Sequence, residues 1–238
     1  MKLLEAVFAF IHDFYELLFP RYCLMCGRRL SRVESGFCIS CLLKQPFEAV
    51  YEDNYDNEMA RLFWGIAPLV RAQAFMRFNT NSDVARPIYA VKYEKNPEAG
   101  VVLGRMGAKI LKEKNFFEGI DMIVPLPLAK SRQRRRGYNQ SEMVAMGISD
   151  VTGIKVSEAN IVRKQFRGSQ TRLNQWQRQA NVEDCFEVVD SSFFEGKHIL
   201  LVDDVITTGA TMKSCCLEIA SKTKDVRISI LAVARTAH

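Results

Sequence analysis

Apolar residues run unbroken over 199–202, and a similar texture returns at 120–124, apart from Asp121, and at 226–233, apart from Arg227 and Ser229. Short runs without polar alternation predict strands buried on both faces, as in a parallel sheet. Residues 71–78 read as a further strand. Between these runs the period changes to helical: 101–111 carries apolar residues on one face, with Gly100, Gly104 and Gly107 as close-packing points. Helices are also expected over 137–146 and 210–220, and from a cap at Ser82 or Asp83 towards Lys92 and Tyr93. Strands alternating with helices predict an α/β fold built on a parallel sheet flanked by helices.

Polar stretches separate these elements. The first 18 residues hold Leu3, Leu4, Val7, Phe10, Ile11, Phe14, Leu17 and Leu18 at helical spacing, with Glu5, Asp13 and Glu16 between them. That is an amphipathic helix, too interrupted to span a membrane and without a basic leader region. Packing against the rest of the chain accounts for it, with partner docking as the alternative. Residues 46–65 begin polar and acidic and read as a linker, which divides the chain into 1–45, 46–65 and 66–238. Residues 163–181 are polar and cationic with few apolar anchors, the character of a lid over a site.

The ends of the buried runs carry the chemistry. The run at 199–202 leads directly into Asp203 and Asp204, then Thr207, Thr208, Gly209, Ala210 and Thr211, and then a helix. Amides in such a turn and at a helix N-terminus bind phosphate, and threonine hydroxyls add donors. Two carboxylates would repel that phosphate, so they suit ribose hydroxyls, directly or around a metal. The run at 120–124 ends in Pro125, Leu126, Pro127 and Leu128, followed by five cations in the seven residues 130–136. Ligands in open α/β sheets sit beyond the carboxyl ends of strands. A cationic loop facing an acidic pair there suits a pyrophosphate with Mg²⁺ between them. A solvated basic loop that touches nucleic acid is the alternative for the individual arginines.

Composition adds a metal and a compartment. Cys23, Cys26, Cys38 and Cys41 form two CxxC knuckles, the ligand set of a closed structural zinc site, and reduced cysteines without metal are the alternative. Seven cysteines, four of them clustered, fit a reducing, cytoplasmic setting better than a disulfide framework. A net charge of +6 suits an anionic partner, whether a phosphorylated small molecule or nucleic acid. Arg21, Arg28, Arg29, Arg32 and Lys44 surround the knuckles, either solvated or facing phosphates. Cys215 and Cys216 read as core residues, Trp64 and Trp176 as packing anchors, and the histidines carry no pattern.

In this order, behind the paired knuckles, the three loops resemble the competence protein F (ComF) family of phosphoribosyltransferase-like proteins. Residues 199–211 resemble the ribose-phosphate motif of type I phosphoribosyltransferases. Residues 124–128 with Arg136, Gly137, Tyr138, Asn139 and Gln140 are similar to the family's pyrophosphate loop. Gln170, Arg178 and Asn181 are similar to its flexible loop, and Lys92 with Tyr93 to its upstream pair.

The resemblance implies a type I phosphoribosyltransferase-like sheet with a small N-terminal zinc module. It also implies binding of 5-phosphoribosyl 1-pyrophosphate (PRPP) with Mg²⁺. Asp203 and Asp204 would then hold the ribose hydroxyls, and Thr207, Thr208, Gly209, Ala210 and Thr211 the 5-phosphate. The pyrophosphate would meet the backbone after Pro125, with Arg178 closing over it, and Pro125, Leu126, Arg136 and Gln170 would be further PRPP-binding residues. Amidophosphoribosyltransferases carry a glutaminase domain with an N-terminal cysteine. Lys2 and a cysteine module stand here instead, so glutamine-dependent amide transfer is not expected. The competing function is a zinc-bearing, single-stranded DNA-binding protein of DNA uptake, with a regulatory or vestigial PRPP site.

Overall fold

The buried run at 199–202 lies inside a nine-residue strand, an interior strand of its sheet. The computed structural model describes residues 17–44, 51–78, 85–157, 160–164 and 186–236. The chain divides into two units, Met1–Pro46 and Phe47–His238. In the second unit, four parallel strands form one sheet: β1 (Leu69–Phe78), β2 (Met122–Pro125), β5 (His198–Ile206) and β6 (Arg227–Thr236), in the order β1-β6-β5-β2. Ile199, Leu200, Leu201 and Val202 are fully buried, because both faces of β5 are covered. A separate antiparallel pair joins β3 (Ile161–Arg163) to β4 (Phe186–Val188).

Among its described residues the second unit has five α-helices: α1 (Ala85–Tyr93), α2 (Pro97–Lys112), α3 (Lys130–Arg136), α4 (Gln140–Thr152) and α5 (Ala210–Lys222). On one face, Met212, Cys215, Cys216 and Ile219 of α5 share a core with Ile199, Leu201, Ile228 and Ile230. The two cysteines are therefore core side chains, and burial pushes the Cys216 thiol up to about 12. On the other face α4 packs on β5 and β2. It also crosses α2 so closely that a Cβ at Gly147 would meet the Val101 carbonyl, and one at Gly104 the Val144 carbonyl. Among the glycines expected to pack closely, Gly100 and Gly104 meet α4, and Gly107 meets the Phe75 ring.

Two stretches differ from the sequence expectation. Residues 46–65, read as a linker, contribute to the core of the second unit from 51 onwards: Met59, Ala60 and Phe63 are fully buried. Polar side chains fasten this segment, which is why composition disguised it. Gln73, buried on β1, exchanges hydrogen bonds with the Tyr51 backbone at 2.9 and 3.0 Å, and Asn57 donates to the Ala72 carbonyl at 2.9 Å. The segment thereby shields the exposed edge of β1. Trp64, read as a packing anchor, is 42% exposed and stacks on Tyr55.

The cationic stretch at 130–136 is a helix and not a loop, with no buried residue. Lysine and arginine are good helix formers, and Gly137, at φ +89°, closes the helix with a 2.7 Å bond from its N–H to the Gln133 carbonyl. The helix expected over 137–146 begins three residues later, at Gln140. The N-terminal helix and the caps at Ser82 and Asp83 lie outside the described residues, as do Gln170, Trp176, Arg178 and Asn181 of the cationic segment.

Candidate functional site

The carboxyl edge of the parallel sheet carries the acidic pair. Asp203 and Asp204 stand in the last turns of β5, paired with β6 through Asp203 opposite Ala232. Asp203 Oδ1 accepts the Ser141 hydroxyl at 2.9 Å and the Asp204 N–H at 2.8 Å. Asp204 Oδ1 accepts the Val205 N–H at 2.6 Å, and its Oδ2 lies 3.4 Å from Lys92 Nζ at the end of α1. Burial and then the adjacent Asp204 push the Asp203 carboxyl well above the ordinary range, against the pull of these donors and Lys92. Two carboxylates are thus held together with one nearby ammonium, an arrangement that attracts a further cation or hydroxyl donors.

The loop after β2 builds the opposite wall, and the Arg136–Ser141 stretch assembles it residue by residue. Tyr138 donates its hydroxyl to the Val91 carbonyl at 2.7 Å, tying the turn to α1. Asn139 donates to the Leu126 carbonyl at 3.0 Å and caps α4 by accepting the Ser141 N–H. With the turn fixed, Arg136 extends over the Tyr93 ring at 5.7 Å, and Ser141 reaches Asp203. Arg132, Arg136, Gln140, Ser141, Asp203 and Asp204 line one cleft of about 290 Å³, together with Lys92, Arg163 and Thr211. Cations and carboxylates therefore face each other across it.

The phosphate-loop residues follow β5. Gly209 sits at φ +75° as the N-cap of α5, where a Cβ would press the Phe63 ring at 3.3 Å. Thr207 and Thr208 are exposed, Ala210 N–H points to Thr208 Oγ1 at 3.4 Å, and Thr211 reaches the cleft. The first amides of a helix lack intrahelical acceptors, so this end of α5 presents donors to an anion.

The structure does not bring every expected residue into the cleft. Pro125 lines a second groove, of about 450 Å³. Leu126 lines the cleft, but its N–H is taken by the Val202 carbonyl at 2.9 Å and Pro127 has none. The first backbone donor beyond them belongs to Leu128. Gln170 and Arg178 lie outside the described residues. Ser141 was not legible as a site residue, since a serine in the first turn of a helix has no distinctive spacing. Arg132 and Arg163 were visible only as members of cationic runs.

In the first unit the thiols of Cys23, Cys26, Cys38 and Cys41 all lie within 4.8 Å of one another, an array that can hold a metal ion. Cys26 Sγ and Cys38 Sγ are 3.7 Å apart, close to the roughly 3.8 Å edge of a tetrahedron with ~2.3 Å metal–sulfur bonds. Burial raises the Cys38 thiol, but nearby N–H and thiol donors outweigh it and bring it down to about 6. Glu34 organises the gap between the knuckles. Its carboxylate accepts Arg28 Nη2 at 2.7 Å and the Ser31 and Ile39 N–H groups at 2.8 Å each. The two backbone donors, chiefly, hold it down to about 2.

No family model matches the chain. The DNA utilization protein YhgH of Salmonella typhimurium is 25% identical over 205 residues, covering 82% of this chain and 89% of that protein. Competence protein F of Haemophilus influenzae is 27% identical over 195 residues, covering 82% and 76%. Competence protein ComFC of Bacillus subtilis is 22% identical over 226 residues, covering 91% and 85%.

Among solved structures, 60% of the chain superposes on an allosteric regulatory enzyme of purine biosynthesis (TM-score 0.42) and on the glutamine PRPP amidotransferase of B. subtilis (TM-score 0.41). Each is 18% identical, and the match spans 30% of either chain. Along most of its sequence this chain is similar to YhgH, competence protein F and ComFC, a similarity that supports the competence protein F (ComF) family.

Proposed function

We propose that the second unit binds PRPP with Mg²⁺ and acts as a phosphoribosyltransferase-like protein on an acceptor still to be identified. The observation that carries this reading is one cleft in which Asp203 and Asp204 face Arg132, Arg136 and Lys92 at the carboxyl edge of a parallel sheet. PRPP offers both kinds of group, ribose hydroxyls for the carboxylates and a pyrophosphate for the cations. The α5 N-terminus beyond Gly209 suits its 5-phosphate.

Mg²⁺ would neutralise the pyrophosphate as it leaves. The chain's own residues supply the rest: carboxylates orient the ribose, and arginines stabilise charge developing on the leaving group. Arg178 is proposed to close over the site, and Gln170 to bind PRPP. The four thiols are proposed to hold a structural zinc, since a closed four-sulfur set leaves no open position for substrate.

Calorimetry with PRPP and Mg²⁺, followed by assay of pyrophosphate release with a panel of bases and amines, tests the reading. Binding lost in Asp203→Asn with Asp204→Asn supports it, and turnover separates an enzyme from a sensor. Absence of both PRPP binding and pyrophosphate release would refute it.

A second reading is a single-stranded DNA-binding protein acting in DNA uptake, consistent with the names of the relatives. Its support here is an exposed helix α3 with five cations, and an exposed ring pair, Tyr55 and Trp64, at 5.6 Å with Arg61 over Trp64 at 5.9 Å. Stacked rings beside cations are a surface for unpaired bases. Replacing Arg134, Arg135 and Arg136 by alanine should weaken single-strand binding and lower its salt slope. Unchanged affinity and slope would remove α3 from that role. Among the described residues no helix is long and apolar enough to cross a membrane.

A further inference from the structure

Helix α3 divides its side chains among three surroundings. Arg132 and Arg136, four apart, line the cleft that holds the acidic pair. Lys130 and Gln133, three apart, line the separate groove of about 450 Å³. Arg134 and Arg135 line neither and stand exposed. The groove shares only Pro127, Leu128 and Arg163 with the cleft. Much of its lining is apolar, including Pro127, Leu128, Val162 and Met146, the last 46% exposed. Its polar heads are unspent: among the described residues the side chains of Lys130, Gln133 and Glu142 make no hydrogen bond or ion pair. Arg163 is held with its guanidinium over the Phe186 ring at 5.3 Å.

An apolar hollow with a few polar heads is the form of a small-ligand site, for which roughly 300–1,000 Å³ is usual. The heads narrow the ligand. Lys130 and Arg163 call for an anion, whereas Glu142 repels one and accepts N–H groups, and Gln133 both donates and accepts. A free phosphate would leave the apolar lining wet, and an apolar side chain of a partner protein would leave the charged heads unpaired. A nucleotide matches all of them, with a flat apolar face, a base edge carrying an amino group, and a phosphate.

Building on the single-strand reading, we propose that this groove is a base pocket for single-stranded nucleic acid. One unpaired base enters it, Glu142 and Gln133 meet the base edge, and Lys130, Arg134 and Arg135 hold the adjoining phosphates. A strand suits the site better than a free nucleotide, because the exposed Arg134 and Arg135 carry the cationic surface of α3 beyond the groove. Glu142 makes the pocket selective: cytosine carries an amino group for it, and thymine carries none.

Fluorescence anisotropy tests this with the full chain, oligo(dC) and oligo(dT) of equal length, and dCMP as competitor, without divalent cations. Oligo(dC) should bind about fivefold or more tightly than oligo(dT). Glu142→Ala should erase that ratio by weakening oligo(dC) alone. Met146→Glu, which sets a charge in the apolar lining at an exposed position, should weaken both strands. Arg134→Ala with Arg135→Ala should weaken both equally and keep the ratio, because phosphate contacts carry no sequence information. dCMP should compete only weakly.

Equal wild-type affinities for the two strands would overturn the base pocket and leave the single-strand reading standing on α3. So would a ratio that survives Glu142→Ala, or wild-type binding by Met146→Glu, in variants that melt as the wild type does. Competition by dCMP as strong as by oligo(dC) would make the groove a free-nucleotide site and overturn the strand as its occupant. If neither strand binds, the base pocket and the single-strand reading fall together.

Discussion

Replacing Asp203 by asparagine should stabilise the ligand-free protein while abolishing its proposed binding. Asparagine keeps the shape and one carbonyl oxygen, so the hydrogen bonds from Ser141 and the Asp204 N–H persist. What disappears is a carboxylate held by burial and by Asp204 at about 7, against an ordinary 3.8. At about 1.4 kcal/mol per pH unit, that difference amounts to something on the order of 4 kcal/mol.

The folded-state value is raised, so the acid's contribution is complete below the unfolded value near 4 and is lost as pH rises through 7. The variant should therefore melt together with the wild type near pH 4 and pull ahead as pH climbs, levelling above 7. A chain of this size gains roughly 2 °C or more per kcal/mol, so a lead on the order of 10 °C at pH 8 is expected. Differential scanning fluorimetry between pH 4 and 8.5, without divalent cations, measures it. Equal melting temperatures at pH 8, or a lead that does not change with pH, would refute the argument that the two carboxylates strain the folded state.

Lys92→Met removes the ammonium 3.4 Å from Asp204 and should lower the melting temperature at pH 8. In an Asp203→Asn background the loss should shrink, a coupling that a double-mutant cycle by chemical denaturation reads directly. Gly147→Ala places a methyl group against the Val101 carbonyl, and urea unfolding should show a loss of about 1–3 kcal/mol despite alanine's better helix propensity. Tyr138→Phe deletes the bond to the Val91 carbonyl and should cost about 0.5–1.5 kcal/mol by the same measurement. Glu34→Gln breaks the Arg28 ion pair between the knuckles, so zinc-loaded protein should release its metal to a chromogenic chelator faster than the wild type, and an unchanged release rate would discount that role for Glu34.

The sheet was legible because burial on both faces writes itself into composition. Ile199, Leu200, Leu201 and Val202 have no polar face to show, and the structure covers both sides of them. The acidic pair was legible for the complementary reason: adjacent carboxylates after a buried run are costly unless they hold something. Residues 51–65 were misleading because polar side chains do the work of backbone pairing there. Gln73 meets the Tyr51 backbone as a strand would, and Asn57 meets Ala72, so polarity marks attachment and not exposure. The cationic stretch 130–136 misled in the opposite way, since its composition shows charge while its helix shows only in the Gly137 cap.

The site depends on a distinction that residue types alone do not make. In the Arg136–Ser141 turn, Tyr138 and Asn139 are polar residues whose donors are spent inside the protein, on Val91 and Leu126. Arg136 and Gln140 are polar residues that each leave a buried nitrogen without a partner among the described residues, and both line the cleft. Sequence presents all four alike. Only hydrogen-bond accounting separates the pair whose donors are spent from the pair that keeps one unmet, and an unmet buried donor costs the folded chain stability. The same accounting removes Leu126, whose N–H already serves β5. On the proposed reading, binding would be carried by side chains of the α3 and α4 ends rather than by the backbone directly after β2, and ligand affinity should respond to Arg136 far more than to any substitution at Pro125.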